Sequence, residues 1–270
     1  MTSIATRRGR IGIDETGGGG AIPILFLHGV GSDKSVWAPQ LAHFGQQRRA
    51  VALDYPGYGD SAPIASATRD DFAAACLDAL DVLSVERAHI CGLSLGGVVA
   101  IAMSALAPKR CASLILADSF AVHPDGQAIY DRSVVASNAM PMAELAAARA
   151  PLLLGAAASE TLKADVIATM GRIDPAAYRL GAQAVWLADQ RVRAESIATP
   201  TLILVGDQDM ITPPALSEQL AGLIAGSRLE MINGAGHLAN VEQPEMFNGC
   251  VDRFLSEIEQ QLSLTAILTM

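Results

Sequence analysis

Aromatic side chains are scarce in this 270-residue chain, at 4%, and much of its apolar content is alanine. Alanine buries little surface but favours helix, so a core built from it calls for many closely packed helices. There are four cysteines, Cys76, Cys91, Cys111 and Cys250, spread far apart. No C-x-x-C pair and no Cys/His cluster at zinc-ligand spacing occurs, which argues against a disulfide framework or a metal site. Buried free thiols in a reducing cytoplasm are the expected reading. Basic residues are outnumbered, 19 against 28 acidic, giving a formal net charge of −9. With no basic stripe to override that balance, the chain would repel a phosphate backbone, and nucleic acid is excluded as a partner. The first twenty residues, MTSIATRRGRIGIDETGGGG, lack the apolar stretch of a signal peptide. No uninterrupted apolar run is long enough to span a membrane; the nearest, VVAIAMSALA (98–107), reads as a buried helix. A cytoplasmic protein without membrane partners is expected. No internal repeat is visible.

What is present is a regular alternation. Short β-rich runs, AIPILFLHG (21–29), RRAVALD (48–54), AHICG (88–92), SLILAD (113–118), TPTLILVG (199–206) and SRLEMI (227–232), are separated by helical patterns. That order predicts an α/β fold with a mostly parallel central sheet flanked by helices. The near-continuous apolar character of most runs fits strands buried on both faces. Thr68 and Asp71 form a Thr-x-x-Asp capping arrangement for a helix continuing to about Ser84. Ser94 to Ala107 is apolar almost all round and stops before Pro108. Pro213 and Pro214 open another helix, and 243–260 is an amphipathic closing helix. The stretch 120–195 has helical periodicity with breakers at Pro124, Pro141, Pro151 and Pro175, and no convincing strand. It is expected to be a helical cap inserted into a core formed by 1–119 and 196–270. The glycine run Gly17–Gly20 reads as a flexible turn before the first central strand.

Four strand ends carry chemistry. Gly92–Leu93–Ser94–Leu95–Gly96 is a G-x-S-x-G pattern between a strand and a long helix, the context of a nucleophile elbow. The glycines leave room for the sharp turn, and the helix aims its N-terminus at the site, favouring developing negative charge. His28–Gly29–Val30–Gly31 follows the first central strand, where a second oxyanion donor belongs; the expected pair is the backbone N–H of Leu95 and of Val30. His28 itself is expected to tie down the loop by hydrogen bonds. Gly206–Asp207–Gln208–Asp209 follows another strand. Asp209 is the favoured triad acid, Asp207 the turn or cap contact, and Asp118 a third possibility after the earlier strand. Gly234–Ala235–Gly236–His237 supplies the base. The order Ser94…Asp209…His237 is the one this kind of elbow enzyme uses. His43, His89 and His123 lack such a context and are expected in packing or surface roles.

The segments HGVGSDKSVW, DYPGYGDS, GLSLGG, GDQDMITPP and GAGHLANVEQPEMFN resemble the signature segments of the α/β-hydrolase superfamily, over about Ile22 to Leu255. Within it, GHLANVEQPEMFN and IDPAAYRLGAQAVWLADQRVRAESIATPTLILVG resemble the 3-oxoadipate enol-lactonases. The N-terminal strands depart from the family, RRGRIGIDETGGGG standing in place of a well-marked hairpin. The resemblance implies a serine hydrolase that cleaves a carboxylic ester or lactone through an acyl-enzyme, with no metal or organic cofactor. Its partner would be a small ester or lactone, and its setting the breakdown of aromatic compounds. The substrate carboxylate should then meet a cation or polar donors, for which Arg132 and Trp186 are cap candidates, although a surface charge and a cap-core ring are their simpler readings. Other carboxylesterases, acyl-homoserine lactonases and carbon–carbon bond hydrolases share the same triad. Haloalkane dehalogenases and epoxide hydrolases place an aspartate where this chain has Ser94. A non-catalytic ligand-binding protein on the same scaffold is the alternative of another class.

Overall fold

A computed structural model of the chain describes the backbone of residues 2–268 and the side chains of residues 2–261. An eight-stranded sheet runs in the order β1-β2-β4-β3-β5-β6-β7-β8. Its strands are β1 (Thr2–Thr6), β2 (Gly9–Thr16), β3 (Ile24–Leu27), β4 (Ala50–Leu53), β5 (Ala88–Leu93), β6 (Cys111–Ala117), β7 (Thr201–Gly206) and β8 (Arg228–Ile232). From β4 to β8 every pairing is parallel, whereas β1–β2 and β2–β4 are antiparallel. The six expected central strands are therefore present, and the first two strands form the hairpin that the sequence marks weakly. Polar, exposed residues fill much of that hairpin, so it shows little apolar alternation. It is anchored from outside instead. Arg7, in its turn, donates Nε to Asp78 Oδ1 at 2.7 Å, and Arg8 pairs with the same buried carboxylate at 2.9 Å.

Alternation decides which layer each central side chain enters. In β3, Ile24 and Phe26 join one apolar cluster, and Leu25 and Leu27 the other. In β4, Ala50 and Ala52 go to the first cluster, and Val51 and Leu53 to the second. Two-sided burial of this kind is what near-continuous apolar strands require. On one side Phe26 stacks on Trp37 with ring centroids 4.9 Å apart. On the other lie α2 (Arg69–Val82) and α3 (Leu95–Leu106), and α3 is buried along nearly its whole length. The capping box of α2 is complete: Thr68 Oγ1 accepts from Asp71 N, and Asp71 Oδ2 accepts from Thr68 N at 2.9 Å.

Between β6 and β7 the chain is helical: α4 (Gly126–Ala139), α5 (Met142–Leu153), α6 (Glu160–Gly171), α7 (Pro175–Trp186) and α8 (Arg191–Glu195), numbered with α1 (Ala38–Phe44) preceding α2. An isolated bridge, Val122 to Asp189, joins its two ends. Pro151, expected as a breaker, lies inside α5. It sits in the last turn, so the one intrahelical bond that its missing N–H removes lies next to the helix end. After β7 come α9 (Pro214–Leu223), α10 (Ala239–Glu242) and α11 (Pro244–Leu268). The last begins at a proline, where that residue is well tolerated.

An ion cluster built on the buried Lys34–Asp54 pair joins the loops after β3 and β4. Lys34 Nζ lies 2.9 Å from Asp54 Oδ2 and 2.7 Å from Asp60 Oδ2, and Asp54 Oδ1 accepts Lys34 N at 2.8 Å. Burial works to lower the Lys34 ammonium, but the hydrogen bonds to Asp54 and Asp60 prevail and raise it above its ordinary value. Lys34→Met should cost about 3 kcal/mol, because it leaves the buried Asp54 charge unpaired. Urea denaturation measures this directly, and a loss below about 1 kcal/mol would show that the cluster is not needed.

Candidate active site

The C-terminal ends of four parallel strands converge on one cavity. At the end of β5 the chain turns sharply into α3, and Ser94 sits on the turn with φ 54° and ψ −111°. A left-handed conformation at a non-glycine residue costs of order 1–3 kcal/mol and persists only where surroundings hold it. Here they do. Ser94 N donates to Ala117 O at 2.9 Å, and Ser119 Oγ donates to Ser94 O at 2.9 Å. Glycine at 92 and 96 is required by contact: a Cβ on Gly92 would strike the Gly96 backbone, and one on Gly96 would strike Leu27 O. Ser94 Oγ makes no hydrogen bond among the described residues, and Ser94 lines the cavity. Leu95 is the first residue of α3, so its N–H has no partner within the helix. Val30, in the loop after β3, lines the same cavity.

His28 plays the part expected of it. Its ring is buried, with Nδ1 2.8 Å from Gly29 O, and Nε2 accepts Tyr55 N at 3.3 Å. Burial lowers its basicity, which keeps it neutral. This fixes the Val30 loop to the chain after β4.

Asp209 and His237 meet across the loops after β7 and β8, with Nδ1 and Oδ2 2.8 Å apart. The Asp209 carboxylate is saturated. Its Oδ1 accepts Ile211 N at 2.7 Å and Thr212 N at 2.9 Å, and its Oδ2 also accepts Thr212 Oγ1 at 2.7 Å. Burial alone would raise this carboxyl; the His237 ring and the Thr212 donors overcome burial and hold it below the usual range. His237 lines the cavity beside Ser94, which leaves its other ring nitrogen as the one free of Asp209. A serine hydroxyl and an imidazole paired with a buried carboxylate thus face one cavity. Asp207 is elsewhere: its Oδ1 accepts Gly234 N at 2.7 Å, a turn contact.

Asp118 is the unused carboxyl. It is fully buried, has φ 48°, and accepts Gly206 N through Oδ1 at 2.8 Å, while Oδ2 has no hydrogen-bond partner. Burial, reinforced by the neighbouring Asp209 charge, pushes it well above the ordinary carboxylate range. It makes no hydrogen bond to His237 among the described residues.

The cavity measures about 470 Å³, a size typical of small-ligand sites. The helical segment supplies much of its wall through Leu153, Leu162, Val166, Met170, Tyr178 and Trp186. Trp186 is both core and wall, stacked on Phe120 at 5.8 Å. Arg132 is exposed on α4 and does not line the cavity. Arg149 and Arg172 do, and sequence reasoning missed both. Arg172 lies 3.8 Å from Asp33, but Arg149 is half-buried and has no ion-pair partner among the described residues. Nothing local distinguishes Arg149 from other helical arginines; only the packing of α5 on α6 brings it to the cavity. The other histidines are structural. His43 pairs with Asp252 at 2.6 Å, buried His89 with Ser113 Oγ at 2.8 Å, and His123 packs edge-on against Trp186. All four cysteines are buried free thiols. Among the described residues no cluster of three or more His, Cys, Asp or Glu side chains could hold a metal, and no helix is long and apolar enough to cross a membrane.

Residues 22–244 match the family described as the alpha/beta hydrolase fold. The chain belongs to that family. It is 30% identical to 3-oxoadipate enol-lactonase 1 of Acinetobacter baylyi over 95% of this chain and 97% of that one. An uncharacterized carboxylesterase of Bacillus subtilis is 28% identical over 94% of this chain and 85% of its own length. Among solved structures, the enol-lactonase from Burkholderia xenovorans LB400 superposes with a TM-score of 0.89 at 28% identity, covering 94% of this chain and all of that one. These relatives support hydrolysis of an ester or lactone.

The Asp118 carboxyl generates a pH prediction. A carboxyl whose folded pKa is raised keeps its proton while the unfolded chain releases it, so stability falls as pH rises from the unfolded value of about 3.9 toward the folded one. Asp118→Asn removes that loss. Its denaturation midpoint should therefore gain on the wild type as pH rises above about 4. A gap that stays constant or closes over that rise would show that Asp118 is ionised in the folded protein.

Proposed function

We propose that this chain is a serine hydrolase acting on a carboxylic ester or lactone, with 3-oxoadipate enol-lactone as the substrate the site fits best. The observation that carries the reading is the conjunction of a strained Ser94 and the His237–Asp209 pair around one cavity. Ser94 Oγ attacks the lactone carbonyl as His237 takes its proton. Asp209 holds the imidazole in one tautomer and stabilises the imidazolium. The N–H groups of Leu95 and Val30 receive the oxyanion, where a donor is typically worth about 10²–10³ in rate. The enolate oxygen leaves with the proton returned from His237, and the freed enol becomes a ketone, which draws the reaction forward. Water, deprotonated by His237, then attacks the acyl-enzyme and releases the dicarboxylate product. The helical segment 120–195 acts as a cap over this cavity, and the setting is cytoplasmic breakdown of aromatic compounds.

Support for an acidic substrate comes from Arg149, a guanidinium on the cavity wall with no carboxylate of its own. Arginine recognises a carboxylate through paired N–H donors. The apolar part of the wall, with Leu162, Val166, Ile211 and Val241, and the Asp165 carboxylate on the same wall favour a second reading: a carboxylesterase for neutral esters.

Purified protein should hydrolyse 3-oxoadipate enol-lactone, followed as loss of lactone absorbance, and Ser94→Ala should abolish the reaction while the fold is kept. Turnover of p-nitrophenyl acetate without the lactone would leave the triad and select the esterase reading. Equal turnover by Ser94→Ala would remove Ser94 from the mechanism. Arg149→Met should raise KM for the lactone at least tenfold and leave KM for the neutral ester within twofold; equal effects on both would take the carboxylate role from Arg149.

A further inference from the structure

Glu242 stands apart from the residues assigned above, at the C-terminal end of α10, and no lysine or arginine pairs with it among the described residues. Its carboxylate is satisfied by backbone amides from two parts of the molecule. Oε1 accepts Gly236 N at 2.9 Å and Leu238 N at 3.3 Å, the amides on either side of His237. Oε2 accepts Gly155 N at 2.6 Å, in the turn that leaves α5. The middle amide of the trio points the other way: His237 N donates to Leu153 O at 2.8 Å. The loop bearing the imidazole and the turn of the helical segment therefore face each other with complementary donors and acceptors, bridged by one carboxylate.

The contact leaves no room for side chains. A Cβ on Gly236 would come within 2.6 Å of Gly155 N and 2.7 Å of Leu154 C. A second link runs beside it, in which Ala156 N donates to Gln208 Oε1 at 2.8 Å without touching the amides around His237. A charged acceptor for three N–H groups binds roughly twice as strongly as a neutral one, and burial of those amides makes an unmet donor costly.

We propose that Glu242 is a positioning residue that clamps the His237 loop to the Leu153–Gly155 turn, so that placement of the imidazole depends on how the cap is seated. The proposal rests on His237 being the base of the hydrolysis described above. It assigns the cap a second task besides forming the cavity wall: Leu153 O and Gly155 N set the backbone on which the base stands. A displacement of about 1 Å in a base is worth up to about 10² in rate.

The test compares Glu242→Ala, Glu242→Gln and Gln208→Ala with the wild type on p-nitrophenyl acetate, at a temperature where circular dichroism shows each folded. Glu242→Ala should lower kcat about 10- to 100-fold with KM within threefold, the split expected when chemistry rather than binding is damaged. Glu242→Gln keeps one acceptor oxygen but turns an amide N–H₂ against a donor, so its kcat should fall between the two. Gln208→Ala loosens the cap alone and should keep kcat within twofold. Should Glu242→Ala not fold, Glu242→Gln carries the test and must lower kcat more than threefold. Unchanged kcat in the Glu242 variants, or an equal loss in Gln208→Ala, would overturn the clamp while wild-type hydrolysis left the reaction standing. A wild type without Ser94-dependent hydrolysis would overturn both.

Discussion

Everything at this site depends on a turn that the backbone does not favour. Ser94 is held at positive φ between β5 and α3 because the sheet, the helix and the neighbouring strand end leave it no alternative. Gly92 and Gly96 let helix and strand approach until a methyl group would collide with main chain, and Ala117 and Ser119 brace the turn from the end of β6. The energy that holds the strain comes from the burial of α3 along nearly its whole length, which explains why a segment so apolar follows the serine. The result is a hydroxyl presented to a cavity and a helix N-terminus directed at the same point.

Around that fixed point the remaining groups are carried by loops, and each loop is restrained by buried polar contacts. His28 secures the Val30 loop to the chain after β4, and the Lys34–Asp54–Asp60 cluster secures it a second time. Four donors hold Asp209 in one orientation and keep it charged. Glu242 and Leu153 do the same for the His237 loop from two sides. The parallel sheet thus sets the distances between strand ends, while short-range hydrogen bonds set the angles. The helical segment contributes much of the wall, its unpaired Arg149, and the turn against which the His237 loop rests.

Much of this was legible in the amino-acid sequence because it is local. Apolar runs that end in glycine marked the central strands, and Thr68 with Asp71 marked a helix start. The chain order of serine, aspartate and histidine was readable because each follows its own strand. What was not legible is carried by long-range contacts. The β1–β2 hairpin is largely polar and exposed, and its anchorage on Asp78 joins residues seventy-one positions apart. Pro151 reads as a breaker because its location in the last turn of α5 depends on where that helix ends. Arg132 and Arg149 look alike in sequence; the packing of α5 against α6 sends only the second to the cavity. Glu242 showed nothing but its place after a histidine, since both groups it joins are main-chain amides.

The central claim is that the strained Ser94 is an activated nucleophile. Incubation with a fluorophosphonate, followed by peptide mass spectrometry, tests it most directly. The account predicts one stoichiometric adduct on the peptide bearing Ser94, lost in a His237→Ala variant that retains its fold. An enzyme that hydrolyses esters with Ser94 unlabelled, or that carries its adduct on another residue, would contradict it.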